Sequence, residues 1–196
     1  MDFEILVNQK HPLPKNYVPS NLVITDNNEQ NFHHYKNENL KPMIHEVVFE
    51  KFKKLQEDAS MDGVFVIIDS GYRSYEYQKK VFDSLVSEKG LEYAKKFVAQ
   101  PGCSEHQTGL AFDFAVLRNG VYSDDIKEED KESKWMKENA YRYGFILRYP
   151  KGKESITDYS FEPWHYRYVG EDLAKYIDQN RLTLEEYFLK NSIDRL

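Results

Sequence analysis

Residues 110 to 116 read Leu-Ala-Phe-Asp-Phe-Ala-Val, an apolar run with one carboxylate, Asp113, at its centre. No other feature constrains the fold as strongly. A loop opened by Pro101-Gly102 leads into the run, and the turn pair Asn119-Gly120 follows it, so it reads as a buried strand. Side chains alternate along a strand. Phe112, Phe114 and Val116 therefore share one face, and Ala111, Asp113 and Ala115 the other. The first face needs an apolar layer packed on it. The second sets a charge between two small alanines, with room beside it for a bulky object such as a metal. A carboxylate there is costly unless it is paired or metal-bound.

The flanking pattern supplies the partners. Lys41 to Ala59 reads as a helix, with Pro42 in its first turn and Ile44, Val48, Phe52 and Leu55 at helical spacing. Val64 to Ile68 is short and β-branched, hence a buried strand. Ser74 can cap a second helix with Gln78, Val81, Phe82 and Leu85 inward, stopped at Gly90, and Leu91 to Ala99 forms another. A helix from about Glu128 to Tyr143, ending at Gly144, precedes strands at 145–149 and 162–169. Thr183-Leu184-Glu185-Glu186 is a capping box that starts a terminal helix. The chain is thus expected to be α+β, a small antiparallel sheet flanked by helices with a metal in the central cleft. It is expected to form a single domain over 1–196, with 1–40 an extended N-terminal arm and 41–196 the core. In the arm, His33-His34 is no metal site on this reading, because adjacent side chains diverge and no third ligand is near.

Composition removes several classes of function. The 27 basic and 33 acidic residues leave a net charge of -6, and no basic cluster offers a face to phosphates, so a nucleic-acid partner is not expected. A single cysteine, Cys103, excludes an intrachain disulfide and an all-cysteine zinc site. No stretch is long and apolar enough to span a membrane, and the opening Met1-Asp2-Phe3-Glu4 has no signal-peptide character. The expectation is a cytoplasmic protein, or one working on the wall side of the membrane if a leader has been removed. Whether it acts as a monomer or a homodimer is not legible.

Three segments carry chemistry. Ser104-Glu105-His106 lies on the loop before the strand, seven residues ahead of Asp113. Glu162-Pro163-Trp164-His165 opens the last strand. Catalytic zinc commonly takes three nitrogen or carboxylate ligands and leaves a fourth position open, a count that His106, Asp113 and His165 meet. Glu162 is then the candidate general base. Residues three apart on a regular strand face opposite sides, so bringing Glu162 and His165 together requires a bulge or an edge position at Pro163. The third segment, Ser70-Gly71-Tyr72-Arg73-Ser74 with Gln78, puts Arg73 where a strand hands over to a helix. A guanidinium there can bind a carboxylate or steady an oxyanion. Taken singly, each feature has an ordinary reading: a loop histidine, a lysine-paired aspartate, a packed Trp164, an arginine tying down a loop. Their joint occurrence in the order and spacing of a known family argues otherwise.

Those residues resemble the VanY-type zinc D,D-carboxypeptidases, whose pattern is serine-x-histidine, aspartate seven residues after that histidine, and later glutamate-x-tryptophan-histidine. Ser70 to Ser74, Tyr143 to Pro150, Thr183 to Tyr187 and the opening Leu6-Val7-Asn8 with Pro12-Leu13 extend the likeness over nearly the whole chain. The leaderless start and Pro101 to Gln107 resemble the VanXY dipeptidase/carboxypeptidases. The resemblance implies Zn²⁺ held by His106, Asp113 and His165, with Glu162 as base and later proton donor. It implies Arg73, Gln78 and Ser104 on the substrate, with Trp164 and Tyr166 as candidates to line the pocket. The implied substrates are peptidoglycan precursor peptides ending in D-Ala, and the D-Ala-D-Ala dipeptide. An L,D-carboxypeptidase acting on tetrapeptides would share every motif. A wall-lytic endopeptidase usually carries a wall-binding module, which is not seen. A non-catalytic peptidoglycan-binding module would need neither the free Glu162 nor an open three-ligand site.

Overall fold

A computed structural model describes residues 3–25 and 42–193; His33 and His34 lie outside the described residues. The apolar run forms β4 (Ala111–Arg118), in the middle of an antiparallel sheet. β3 (Val66–Ser70) pairs with it on one side and β7 (His165–Tyr168) on the other, with β6 (Phe145–Leu147) beyond β7. The Asn119-Gly120 turn folds β5 (Val121–Ser123) back onto the far end of β4. The α+β architecture is the expected one.

The two faces of β4 differ as the alternation requires. Phe112, Phe114 and Val116 enter the main core with Val48, Phe52 and Leu55 of α1 (Glu46–Met61). The Phe112 ring meets Phe52 at 5.1 Å and Phe145 at 5.2 Å, both edge to face. Burying each such side chain contributes roughly 1.5–3 kcal/mol, which fixes the register of the strand and hence the side on which Asp113 emerges. On the other face Ala115 makes only a small cluster with Ile67 and Leu117. Toward Asp113 that face opens into a cleft.

Several boundaries depart from expectation. α1 begins at Glu46, because Met43–His45 forms β2 and pairs with β1 (Leu22–Ile24). The partner strand lies in the segment expected to be an extended arm, so the helix start was decided at long range. His45, not Pro42, opens the helix, and its ring accepts from the Val47 amide. The helix expected over 128–143 is α4 (Lys131–Asn139) followed by a 3-10 turn, Ala140–Tyr143. Gly144 ends it at φ 88°, and a Cβ there would come within 2.6 Å of the Tyr168 ring. α2 (Tyr75–Lys89) and α3 (Leu91–Phe97) appear near their expected places, with Ser74 accepting from the Tyr77 amide. The loop 150–160 contains one short turn of helix, α5 (Glu154–Thr157). α6 (Glu171–Asn180) was not expected, although Gly170 at its N-cap, Glu171-Asp172 in its first turn and the buried Leu173, Ala174 and Ile177 were signals for it. α7 (Leu184–Ile193) starts at the expected capping box, where Glu186 donates its amide to Thr183 Oγ1 and receives the Thr183 amide. Among the described residues no helix is long and apolar enough to cross a membrane.

Candidate functional site

The cleft is built where three neighbouring strands present their ends. Asp113 on β4 is paired in register with His165 on β7 and with Ser70 on β3. His106 stands in a single 3-10 turn, Glu105–Thr108, packed against the start of β4. That turn is tied to the segment after β3: the Arg73 amide donates to the His106 carbonyl at 3.1 Å, and His106 Nδ1 lies 2.6 Å from the Gly71 carbonyl. Gly71 is required there, since a Cβ would strike the Met43 carbonyl at 2.2 Å.

Glu162 and His165 reach the same side by a route other than a bulge. The strand begins only at His165, and Pro163-Trp164 form a turn in which the His165 amide donates to the Glu162 carbonyl at 3.3 Å. The chain reverses enough to bring Glu162 Oε2 to 3.8 Å from His165 Nδ1. Proline suits that turn, having no amide to satisfy.

The side chains then converge. His106 Nε2 lies 3.3 Å from Asp113 Oδ2, and His165 Nδ1 2.9 Å from Asp113 Oδ1. One donor atom from each of His106, Asp113 and His165 fits within a sphere of mutual separation 4.8 Å. His106 Nε2 is buried with no hydrogen-bond partner, which is costly unless something else accepts its lone pair. The set of two imidazoles and one carboxylate, with His106 Nε2 buried and unmatched beside Asp113, fits a divalent transition metal such as zinc.

Electrostatics agree with that arrangement. Burial, helped by the Arg73 charge, lowers His106 to about 4 against the pull of Asp113, so its ring stays neutral as a ligand must be. Burial also acts to lower His165, but the carboxylates of Asp113 and Glu105 outweigh it and raise the imidazolium to about 9 in the metal-free protein. Burial, and after it the neighbouring Asp113 charge, pushes Glu162 up to about 7 despite His165 and Arg73. A carboxyl poised near neutrality is suited to taking and returning a proton.

Arg73 reaches in from the β3–α2 junction, its Nη2 at 3.5 Å from Asp113 Oδ2. Gln78 and Ser104, both buried, line the same cleft, together with Phe97, Tyr149 and Tyr159. Gln78 donates its amide to the Ala99 carbonyl at 2.8 Å, and its Oε1 is buried without a partner. Every residue singled out for catalysis, metal or substrate is therefore at one place. Trp164 and Tyr166 are not. Trp164 packs on the main core and Tyr166 is inside it, because on β7 residue 166 faces away from residue 165.

The chain matches the family model for VanY, D-alanyl-D-alanine carboxypeptidase, over residues 41–171. It belongs to the VanY family. Among VanY relatives, it is 47% identical over 185 residues to the putative carboxypeptidase YodJ of Bacillus subtilis, a match covering 94% of this chain and 66% of YodJ. The chain thus spans just under two thirds of that protein. It is 36% identical to the bifunctional D-Ala-D-Ala dipeptidase and carboxypeptidase VanXYC of Enterococcus gallinarum, over 93% of this chain and 91% of VanXYC. Of solved structures, the LdcB LD-carboxypeptidase superposes with a TM-score of 0.81 at 46% identity, over 94% of this chain and 85% of LdcB. A VanY D,D-pentapeptidase mutant in complex with Zn(II) superposes with a TM-score of 0.79 at 38% identity, covering 96% of this chain and 99% of that one.

Residue reasoning missed a second group behind the site: Glu105, Arg148 and Arg167, all fully buried. A charged residue inside an otherwise buried aromatic strand, as Arg167 is in His165–Tyr168, was the available signal.

Proposed function

We propose that this chain is a zinc-dependent D,D-carboxypeptidase that removes the terminal D-Ala from peptidoglycan precursor peptides, with the D-Ala-D-Ala dipeptide as a further substrate. His106, Asp113 and His165 hold the metal, and residues 1–196 act as one catalytic domain. The observation that carries the reading is the meeting of those three side chains, donors within 4.8 Å, next to a carboxyl raised to about 7.

A zinc ion held there would supply Lewis acidity to the scissile carbonyl and to the attacking water. Glu162 takes the proton that the water gives up as its oxygen bonds to the carbonyl carbon. It returns that proton to the amine of the departing D-Ala as the C–N bond breaks. Arg73 sits where its guanidinium can hold the developing oxyanion or the substrate carboxylate. Gln78 and Ser104 bind and orient the terminal residue, and the unmatched Gln78 Oε1 is free to accept from it.

The similarity to LdcB at 46% identity supports a second reading, an L,D-carboxypeptidase on tetrapeptides. A product assay with D-Ala-D-Ala, a stem pentapeptide and a stem tetrapeptide, each with and without chelator, separates the two. The expected result is D-Ala released from the pentapeptide and lost on chelation. Release from the tetrapeptide alone would transfer the assignment to L,D chemistry, and chelator-resistant release would remove the metal from it.

A further inference from the structure

Glu105 takes no part in the reaction above, yet it stands directly behind the metal-facing cluster. Its carboxylate is fully buried. Oε1 accepts from Arg148 Nε and from Arg167 Nη1, both at 2.8 Å. Oε2 has no hydrogen-bond partner, and neither has His165 Nε2, which lies 3.7 Å from it. Nε2 is the far side of the ring: Nδ1 is the nitrogen turned to Asp113 and Glu162.

A neutral imidazole carries one ring proton, and only the other nitrogen can offer a lone pair to a cation. If His165 is to bind metal through Nδ1, the proton has to sit on Nε2. A carboxylate facing Nε2 favours that tautomer, and metal-binding histidines generally give their outer N–H to a carboxylate or carbonyl. His106 has the same provision with the opposite polarity of ring, its Nδ1 lying 2.6 Å from the Gly71 carbonyl. We infer that Glu105 is a positioning residue for the metal site, keeping the His165 proton on Nε2 and the Nδ1 lone pair turned to the ion. This rests on the metal-site reading above.

The arginines aim the carboxylate and are themselves anchored at both ends of the chain. Arg148 Nη1 and Nη2 reach Glu185 of α7 at 2.8 and 2.6 Å. Arg167 Nη2 donates to the carbonyls of Phe3 and Ile5 at 3.0 and 2.8 Å. The two guanidiniums and the two carboxylates balance, so His165 completes the cluster without adding charge once its ring is neutral. Oε1 is saturated by the arginines, which leaves Oε2 as the only oxygen of Glu105 that can face the ring.

Glu105→Gln tests the inference. With the amide oxygen held by two arginines, the amide NH₂ faces His165 Nε2, a donor against the nitrogen that should donate. Zinc dissociation constants measured by chelator competition should rise about 10- to 100-fold in this variant. Glu185→Gln breaks the outer arm of Arg148 without touching Glu105. It should lower the melting temperature while leaving zinc affinity at the wild-type value. Equal zinc affinity in Glu105→Gln and wild type would overturn the inference, as would an equal loss in both variants, which would make the effect one of general stability. Nitrogen-15 NMR of the zinc-loaded wild type gives a reading that needs no variant. It should show a protonated Nε2 and a metal-bound Nδ1 on His165, and the reverse would overturn the inference. Wild-type protein that binds no zinc would instead bring down the metal-site reading itself.

Discussion

Two charged clusters lie back to back across His165, and they are built on opposite principles. Behind the ring, every guanidinium nitrogen of Arg148 and Arg167 meets an acceptor at 2.6 to 3.0 Å, and the unmatched Glu105 Oε2 and His165 Nε2 face one another at 3.7 Å. Burial alone would raise Glu105, yet the two arginines hold it well below the usual carboxylate range. In front of the ring, Asp113, His106, Glu162 and Arg73 leave a buried nitrogen unmatched and a carboxyl lifted to about 7. A satisfied buried network holds a structure in place, whereas an unsatisfied one is stable only with something bound. The contrast supports the reading that puts chemistry on the cleft side and support on the other.

The comparison can be broken most sharply at Glu162. If the front cluster is chemical, Glu162→Gln should lower kcat about 10²- to 10⁴-fold while zinc stoichiometry stays at wild type, read by steady-state D-Ala release and metal analysis. Retained turnover would take Glu162 out of the reaction. If the rear cluster is structural, Arg148→Met should cost about 3–5 kcal/mol of stability, since it leaves the buried Glu105 carboxylate with Arg167 alone and takes the guanidinium from the half-buried Glu185. Denaturant unfolding of the zinc-loaded protein measures this, and a change under 1 kcal/mol would deny the cluster its role. Arg73→Ala, on the front side again, should lower kcat about 10²-fold with little loss of stability. An unfolding midpoint that shifts as far as that of Arg148→Met would erase the distinction between the two clusters.

The smallest effect is also the one most specific to the front cluster. His165, raised to about 9, is protonated at pH 7 in the metal-free protein, while His106, lowered to about 4, is not. Zinc uptake at pH 7 should therefore expel about one proton from the histidines, measured by calorimetry in buffers of different ionisation heat. Stability follows the same sign. A histidine raised on folding contributes fully below its unfolded pKa, about 6.5, and loses that contribution as pH climbs toward 9. The melting temperature of the zinc-free protein should fall over that window while zinc affinity rises.

Much of this was legible from local pattern. The alternation of Leu110 to Val116 gave the orientation of Asp113, because period-two geometry leaves no other choice once Phe112 and Phe114 are buried. The Thr183–Glu186 capping box, the Ser74 cap and the Gly144 stop each act within a few residues, and each stands where expected. The order of His106, Asp113, Glu162 and His165, matched to the VanY pattern, named these residues as candidates before any fold was known. Much of what escaped depends on partners far along the chain. The start of α1 moved because Leu22–Ile24 claims Met43–His45 as a strand. The meeting of Glu162 with His165 came from a local turn and not a bulge, and Tyr166 goes to the core because it alternates with His165 along β7. Glu105 shows the limit most clearly. Its neighbours Arg148, Arg167 and His165 are 43 to 62 residues away in sequence, and a burial that makes a charge pair strong exists only after the sheet has closed. Residue type and spacing decided which groups are candidates for the chemistry; the fold decided which of their atoms face one another and which charges hold them there.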